Sequence, residues 1–269
     1  MSTIQAIIIA IVEGLTEFLP ISSTAHMKFT NAIIGVSQSP FADMFEIVIQ
    51  LAAILSVVVL YWKKFVDFKR FDFYIKLIVG VIPALIFGAL LKRHIDNALG
   101  NLIFIACVMI FGGVVLLFID RLFKNPVIDD EKDINYRKAF IIGCFQVLSI
   151  VFPGLSRSAA TIIGGMNQKL TRRLAAEFSF FLAVPTMFAA SAKSFYDVYK
   201  DHQEVLVKDN LMILGIGALV SFLVAIVTVK FFINFLKEHG FRAFGFYRII
   251  IGTLLLILIL TGVMSNTAH

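Results

Sequence analysis

Apolar stretches long enough to cross a bilayer recur along the whole chain, and this recurrence limits the fold more than any other feature. A spanning helix needs about 20 apolar residues, because each residue rises about 1.5 Å and the hydrocarbon core is about 30 Å thick. Six runs qualify, near residues 43–62, 75–92, 101–120, 174–195, 210–233 and 246–264. Of the 269 residues, 59% are hydrophobic and 16% charged. Soluble domains carry roughly a quarter charged residues. No series of short alternating strands points to a β-barrel. The expected fold class is therefore an all-α polytopic membrane protein. Its N-terminus lacks a basic segment and a small-residue cleavage site, so no cleaved signal peptide is expected. Cys107 and Cys144 lie in apolar runs without a C-x-x-C or Cys/His cluster and are expected to be free thiols.

Two more runs, 3–25 and 139–166, are apolar but broken. The first breaks at Leu19-Pro20-Ile21-Ser22-Ser23, the second at Pro153-Gly154-Leu155-Ser156. Proline removes an amide donor and glycine admits unusual dihedrals, so both runs should turn near mid-depth. Irregular backbone at that depth is tolerated where protein buries it or it lines a wet cavity. Both runs are read as re-entrant helix–turn–helix segments beside six transmembrane helices.

The broken runs resemble each other. Aligning Pro20 with Pro153 sets Glu13 on Gln146 and brings Ser22-Ser23 close to Ser156-Arg157-Ser158. Each run leads, after a similar gap, into an apolar helix opened by a glutamate, Glu46 or Glu177. The chain reads as a single membrane domain built by duplication, with repeat one over 1–125 and repeat two over 135–269. The segments 63–76, 121–138, 169–173 and 230–248 hold 17 lysines and arginines, Arg248 among them. Six more (Lys28, Lys92, Arg93, Lys193, Lys200 and Lys208) fall on the other side. The positive-inside rule places the first group in the cytoplasm, and membrane orientation explains the net charge of +6 better than nucleic-acid binding does. Three spans per repeat make the repeats inverted in topology, which brings their broken helices face to face near the midplane.

Glu13 and Glu17 are four apart and share a helix face. A charged carboxylate at that depth costs a few kcal/mol, so it faces a cation or a cavity; about 2.5–3.5 kcal/mol is the mildest scale. An ordinary structural pair with Lys or Arg is the plain alternative, and for Glu46 and Glu177 a buttressing role is the favoured one. Ser22, Ser23 and Thr24 follow Pro20 and suit helix caps. A helix starting there also offers free amides and a positive dipole end to an anion. His26 stands one turn after Ser23 and is either a satisfied buried histidine or part of a nucleophile–base or proton relay. Arg157 lies inside the second broken run, and its guanidinium requires an anion there. Glu13 or Glu17 can serve, and so can a phosphate held together with Ser156, Ser158 and Thr161.

These stretches resemble the bacterial undecaprenyl-diphosphate phosphatase family of the bacitracin-resistance type. The resemblance rests on Glu13-Gly14-Leu15-Thr16-Glu17, on Ser22-Ser23-Thr24-Ala25-His26, and on the PGxSRSxxT motif from Pro153 to Thr161. The segments 136–146 and 177–185 also look like the family, and Ala25 stands where a glycine is common. The resemblance implies a hydrolase that removes the terminal phosphate of a C55 polyprenyl diphosphate lipid and so recycles the carrier for cell-wall synthesis. It implies bacitracin resistance, a divalent cation (Mg²⁺ or Ca²⁺) and residence in the bacterial inner membrane. On this reading Glu13, Glu17, Ser23, His26 and Arg157 are catalytic, with Glu13 and Glu17 holding the metal. Ser22, Thr24, Ser156, Ser158 and Thr161 bind substrate. Attack by Ser23, assisted by His26 or Glu17, and attack by an activated water both stay open. The charge pattern has the site open to the external face, and a homodimer is left open. A secondary transporter or lipid flippase is the rival class, because inverted repeats with broken helices are also transporter architecture.

Overall fold

The computed structural model describes residues 1–67 and 69–266. In chain order its helices are α1 (Thr3–Thr16), α2 (Ser23–Ile34), α3 (Pro40–Leu60), α4 (Trp62–Val66), α5 (Phe71–Leu90), α6 (Lys92–Leu99), α7 (Leu102–Leu122), α8 (Tyr136–Val151), α9 (Arg157–Asn167), α10 (Arg172–Asp201), α11 (Lys208–His239) and α12 (Arg242–Leu260). Their starts follow capping chemistry. Ser2 and Gln5 form a reciprocal capping box on α1, and Ser39 caps α3 ahead of Pro40 at its first position. Asn101, Asn135 and Thr171 accept the orphan amides of α7, α8 and α10.

Six helices, α3, α5, α7, α10, α11 and α12, are long and apolar enough to cross a membrane. They keep large apolar side chains on their outer faces, among them Leu90, Phe111, Val227 and Ile250. An exposed apolar belt of this kind belongs against lipid, and the protein is a multi-pass membrane protein. Cys107 and Cys144 are free, as expected.

The four basic segments meet at one end of the bundle. There Lys64 Nζ reaches Glu131 Oε2 at 2.7 Å, Lys76 Nζ donates to the Lys132 carbonyl at 3.2 Å, and Thr171 Oγ1 donates to Asp129 at 2.6 Å. Asp120 accepts from Arg172 Nε at 2.6 Å and, just ahead of α12, from the Phe241 amide at 2.9 Å. At the opposite end, Gln5 Nε2 donates to the Ile34 carbonyl at 3.0 Å, and Met1 and Ile34 pack with Val198 and Leu206. The α1–α2 hairpin therefore leaves and returns to this end. The α8–α9 hairpin leaves and returns to the basic end, where Val127 and Ile128 donate to the Lys169 carbonyl.

Several helix boundaries differ from expectation. α2 continues to Ile34, well past residue 25, because Gly35 with its φ of +69° is the first residue able to end it cheaply. Lys28 is thus buried in a helix rather than set in an outer loop. Lys76 is likewise buried in α5. α11 runs to His239, so the supposed loop 230–248 is helix on both sides of a tight link at Gly240, whose φ is +64°. Arg248 consequently belongs to α12, not to a loop.

Packing interleaves the two halves of the chain. α1 lies on α11 and α8 on α5, while α3–α10 and α7–α12 pack through the middle. Small residues allow the close crossings. A side chain on Gly143 would collide with the Gly80 carbonyl, and one on Gly113 would come within 2.9 Å of the Gly245 carbonyl. Gly143→Ala should lower the unfolding temperature in detergent, in line with an overpacking cost of about 1–3 kcal/mol. Gly88→Ala, where an added methyl meets nothing within 4 Å, should not. Equal unfolding temperatures for both variants would refute the close-crossing account.

Candidate active site

The two helix breaks create the site. After α1 the backbone turns through Phe18, Leu19, Pro20 and Ile21, and Ser22 caps α2 with its Oγ 3.4 Å from the Ala25 amide. After α8 it turns through Pro153 and Gly154, and Ser156 caps α9 with its Oγ 3.3 Å from the Ala159 amide. Both caps sit at positive φ, +73° for Ser22 and +77° for Ser156, in the region where a non-glycine residue is strained. The two serines are thus equivalent caps in the two segments. Phe18 closes the underside of the first turn by packing edge-on against Phe180, ring centroids 4.9 Å apart.

The polar tips meet. Glu17, the residue that ends α1, uses both carboxylate oxygens. Oε2 accepts from Ser23 Oγ at 2.6 Å, and Oε1 pairs with Arg157 Nη2 from the first turn of α9. Arg157 Nη1 donates to the Ser179 carbonyl of α10 at 3.2 Å. Serine, glutamate and arginine therefore form one chain of contacts that joins the two hairpins. Glu13 lies one turn before Glu17, fully buried, and neither of its carboxylate oxygens has a hydrogen-bond partner among the described residues. A second direct link runs from Ser158 Oγ to the Leu19 carbonyl at 3.0 Å, with Ser156 and Ser158 sharing a bond at 2.9 Å.

The remaining candidates divide by position. Thr161 is fully buried, and its hydroxyl is taken up by Ser179 Oγ at 2.6 Å and by the Arg157 carbonyl at 2.9 Å. Thr24 is half-buried and takes part in none of these bonds. His26 is not bonded to Ser23. Its Nδ1 lies 2.8 Å from the Ser22 carbonyl, which only accepts, so Nδ1 carries the proton. Its Nε2 accepts from Tyr247 Oη at 2.9 Å, and the two rings stack with centroids 5.7 Å apart. Of the two glutamates read as buttresses, Glu46 holds α2, whereas Glu177 pairs with Arg173 on its own helix and with Lys64 of α4. Glu46 accepts from Asn31 Nδ2 at 2.5 Å and pairs with Lys28 at 3.2 Å, while Glu177 sits 3.4 Å from Arg173 and 3.9 Å from Lys64.

Sequence reasoning missed three residues. Ser179 and Tyr247 touch Arg157 and His26 from other helices and carry no local signature. Arg248 was assigned to a loop by charge counting, yet it is fully buried. Its guanidinium donates to the carbonyls of Leu155 and Gly154, each at 2.8 Å, of Pro20 at 3.0 Å and of Met109 at 3.1 Å.

Removing one member of a buried ion pair strands the other charge, at about 3–5 kcal/mol. Arg157→Met should therefore lower the unfolding temperature more than the double variant Glu17→Gln/Arg157→Met does. A double variant less stable than Arg157→Met would mean that the pair does not govern stability here.

The family model described as bacitracin resistance protein BacA matches residues 6–254. An undecaprenyl-diphosphatase of Flavobacterium psychrophilum is 51% identical over 96% of this chain and 96% of its own length. An undecaprenyl-diphosphatase of Porphyromonas gingivalis is 47% identical, covering 98% of this chain and 99% of the relative. That of Bdellovibrio bacteriovorus is 43% identical, covering 97% and 98%.

Proposed function

The chain belongs to the bacitracin resistance protein BacA family, and from that premise we propose how its site works. The protein is an integral membrane undecaprenyl-diphosphatase. It hydrolyses undecaprenyl diphosphate to undecaprenyl phosphate and inorganic phosphate, which recycles the lipid carrier for cell-wall synthesis and confers bacitracin resistance. The observation that carries the mechanism is the contact chain Ser23–Glu17–Arg157.

The lipid tail stays in the bilayer and the diphosphate head enters between the two hairpin tips, each a re-entrant segment of an inverted repeat. Arg157 exchanges its pairing with Glu17 for the phosphoryl oxygens, since a diphosphate offers more negative charge and a bidentate acceptor. Glu17 is then free to take the proton of Ser23, which already points at it. Ser23 Oγ attacks the terminal phosphorus, an O–P bond forms, and the bond from phosphorus to the bridging oxygen breaks. Undecaprenyl phosphate departs with that electron pair. Water then adds to phosphorus, the bond from phosphorus to Ser23 Oγ breaks, Glu17 returns its proton to that oxygen, and the water's oxygen and two protons leave with the phosphate. Phosphoryl transfer needs chiefly positioning and charge stabilisation, which the serine-capped starts of α2 and α9 and Arg157 supply. Glu17 rather than His26 is the base for Ser23, because the free ring nitrogen of His26 is engaged by Tyr247.

The residues fit a divalent cation. The two unpartnered oxygens of buried Glu13 beside Glu17 suit a hard ion, Mg²⁺ or Ca²⁺. Among the described residues no group of three or more His, Cys, Asp or Glu side chains is placed to hold one, so Glu13 and Glu17 would hold such an ion with the help of non-protein oxygens. When bound, it offsets the charge of the diphosphate.

Phosphate release from C55 diphosphate by purified protein tests the reading. Ser23→Ala and Glu17→Gln should each lose about a thousandfold or more in turnover, and a chelator should abolish release until Mg²⁺ is restored. Wild-type turnover in Ser23→Ala with loss in Glu17→Gln would transfer the attack to a Glu17-activated water. No release by wild type would favour transport instead.

In the bacterial inner membrane, the basic end faces the cytoplasm and the α1–α2 hairpin enters from the external face, where the site opens. In a Cys107→Ser/Cys144→Ser background, an impermeant thiol reagent on intact cells should label S37C, in the exposed α2–α3 link, and spare K124C beyond α7. The reverse pattern overturns the orientation.

A further inference from the structure

We propose that Arg248 is a positioning residue for the phosphatase reaction: its guanidinium sets the distance between the hairpin tip that carries Ser23 and Glu17 and the tip that carries Arg157. This rests on the phosphatase reading above.

Arg248 is fully buried, and among the described residues it pairs with no carboxylate. Its guanidinium is instead spread over four carbonyls. Two belong to the turn after α8, one to the turn after α1, and one to α7. Nη1 donates to Pro20 and Leu155 together, so a single nitrogen joins two turns far apart in sequence. Three of these carbonyls lie in the turns between half-helices, where no helical ladder supplies them with an amide, and the fourth, that of Met109, lies within α7. A planar fork of five donors matches this layout, whereas the three converging donors of a lysine ammonium do not.

The position follows into chemistry. Ser22 stands two residues after Pro20 and caps the helix that begins with Ser23. Ser156 stands next to Leu155 and caps the helix that begins with Arg157. Shifting either carbonyl relative to Arg248 shifts an attacking hydroxyl or a phosphate-holding guanidinium. The fold also reserves space for this side chain. A methyl on Gly112 would collide with its guanidinium, and one on Gly113 would approach its Cβ at 2.9 Å.

The test compares wild type, Arg248→Lys and Gly112→Ala in detergent with C55 diphosphate, with rates normalised to active sites titrated by a tight-binding diphosphate analogue. Gly112→Ala keeps the arginine and its charge but pushes the guanidinium aside. Both variants should lose about 100-fold in kcat, with KM within about threefold of wild type, because a displacement of about 1 Å misaligns the reacting atoms without removing a substrate contact. A kcat within about twofold of wild type in both variants overturns the proposal. So does a change confined to KM, which would mark Arg248 as a source of binding charge. A kcat loss that vanishes after normalisation also overturns it, by marking a purely structural role. If wild type releases no phosphate, the phosphatase reading fails first and this proposal falls with it.

Discussion

Breaking a helix inside an apolar bundle exposes backbone amides and carbonyls where no water is assured, and the structure depends on how those groups are satisfied. Each unpartnered group in such surroundings costs several kcal/mol, roughly 2–7 depending on the reference. Here the amides after each break are met by a serine hydroxyl from the break itself, Ser22 for α2 and Ser156 for α9. Carbonyls within the breaks are met from outside, by Ser158 at Leu19 and by Arg248 at Pro20, Gly154 and Leu155. The donors that repair one hairpin come from the other hairpin or from α12. The irregular backbone and the tertiary fold are therefore solutions to a single problem.

Charge in the bundle obeys the same economy. Glu17 and Arg157 neutralise each other across the hairpin tips, and Glu46 and Lys28 do so beneath α2. At the basic end Glu131 sits between Lys64 and Arg70. Two charged groups stand outside this pattern. Among the described residues Arg248 is met by carbonyl dipoles, and neither carboxylate oxygen of Glu13 has a hydrogen-bond partner. A buried carboxylate with both oxygens unsatisfied is the expected mark of a group that a ligand completes. It lies one turn from the Ser23–Glu17 bond, so the Ser23 hydroxyl and this acid share one small volume.

Much of this was legible in the chain. The six spans follow from run length, and the two breaks from Pro20 and from Pro153-Gly154, because a missing amide and a free dihedral have local consequences. That Arg157 needs an anion was legible too, with Glu13, Glu17 and a phosphate as the candidates, but the choice of Glu17 was not. What sequence could not give was any partner defined only by three-dimensional proximity. His26 and Tyr247 lie at opposite ends of the chain, and neither alters the local pattern around the other. Arg248 was misassigned because counting charges near span ends treats every terminal arginine as loop, while its burial depends on the notch at Gly112 and Gly113 on another helix. The α11 boundary slipped because Lys230 looks like a loop residue, although a helix can carry such a side chain outward from the bundle.

The interleaving of α1 with α11 and of α8 with α5 has a consequence for biogenesis. The first hairpin leaves the ribosome with two acidic side chains, and the helix it rests against, α11, is made only after most of the chain has been synthesised. Until then it has neither its apolar seat nor Arg157 to offset Glu17. Membrane insertion of this protein must therefore shelter or delay a polar segment made early, and that hairpin docks on α11 only after α11 has been synthesised.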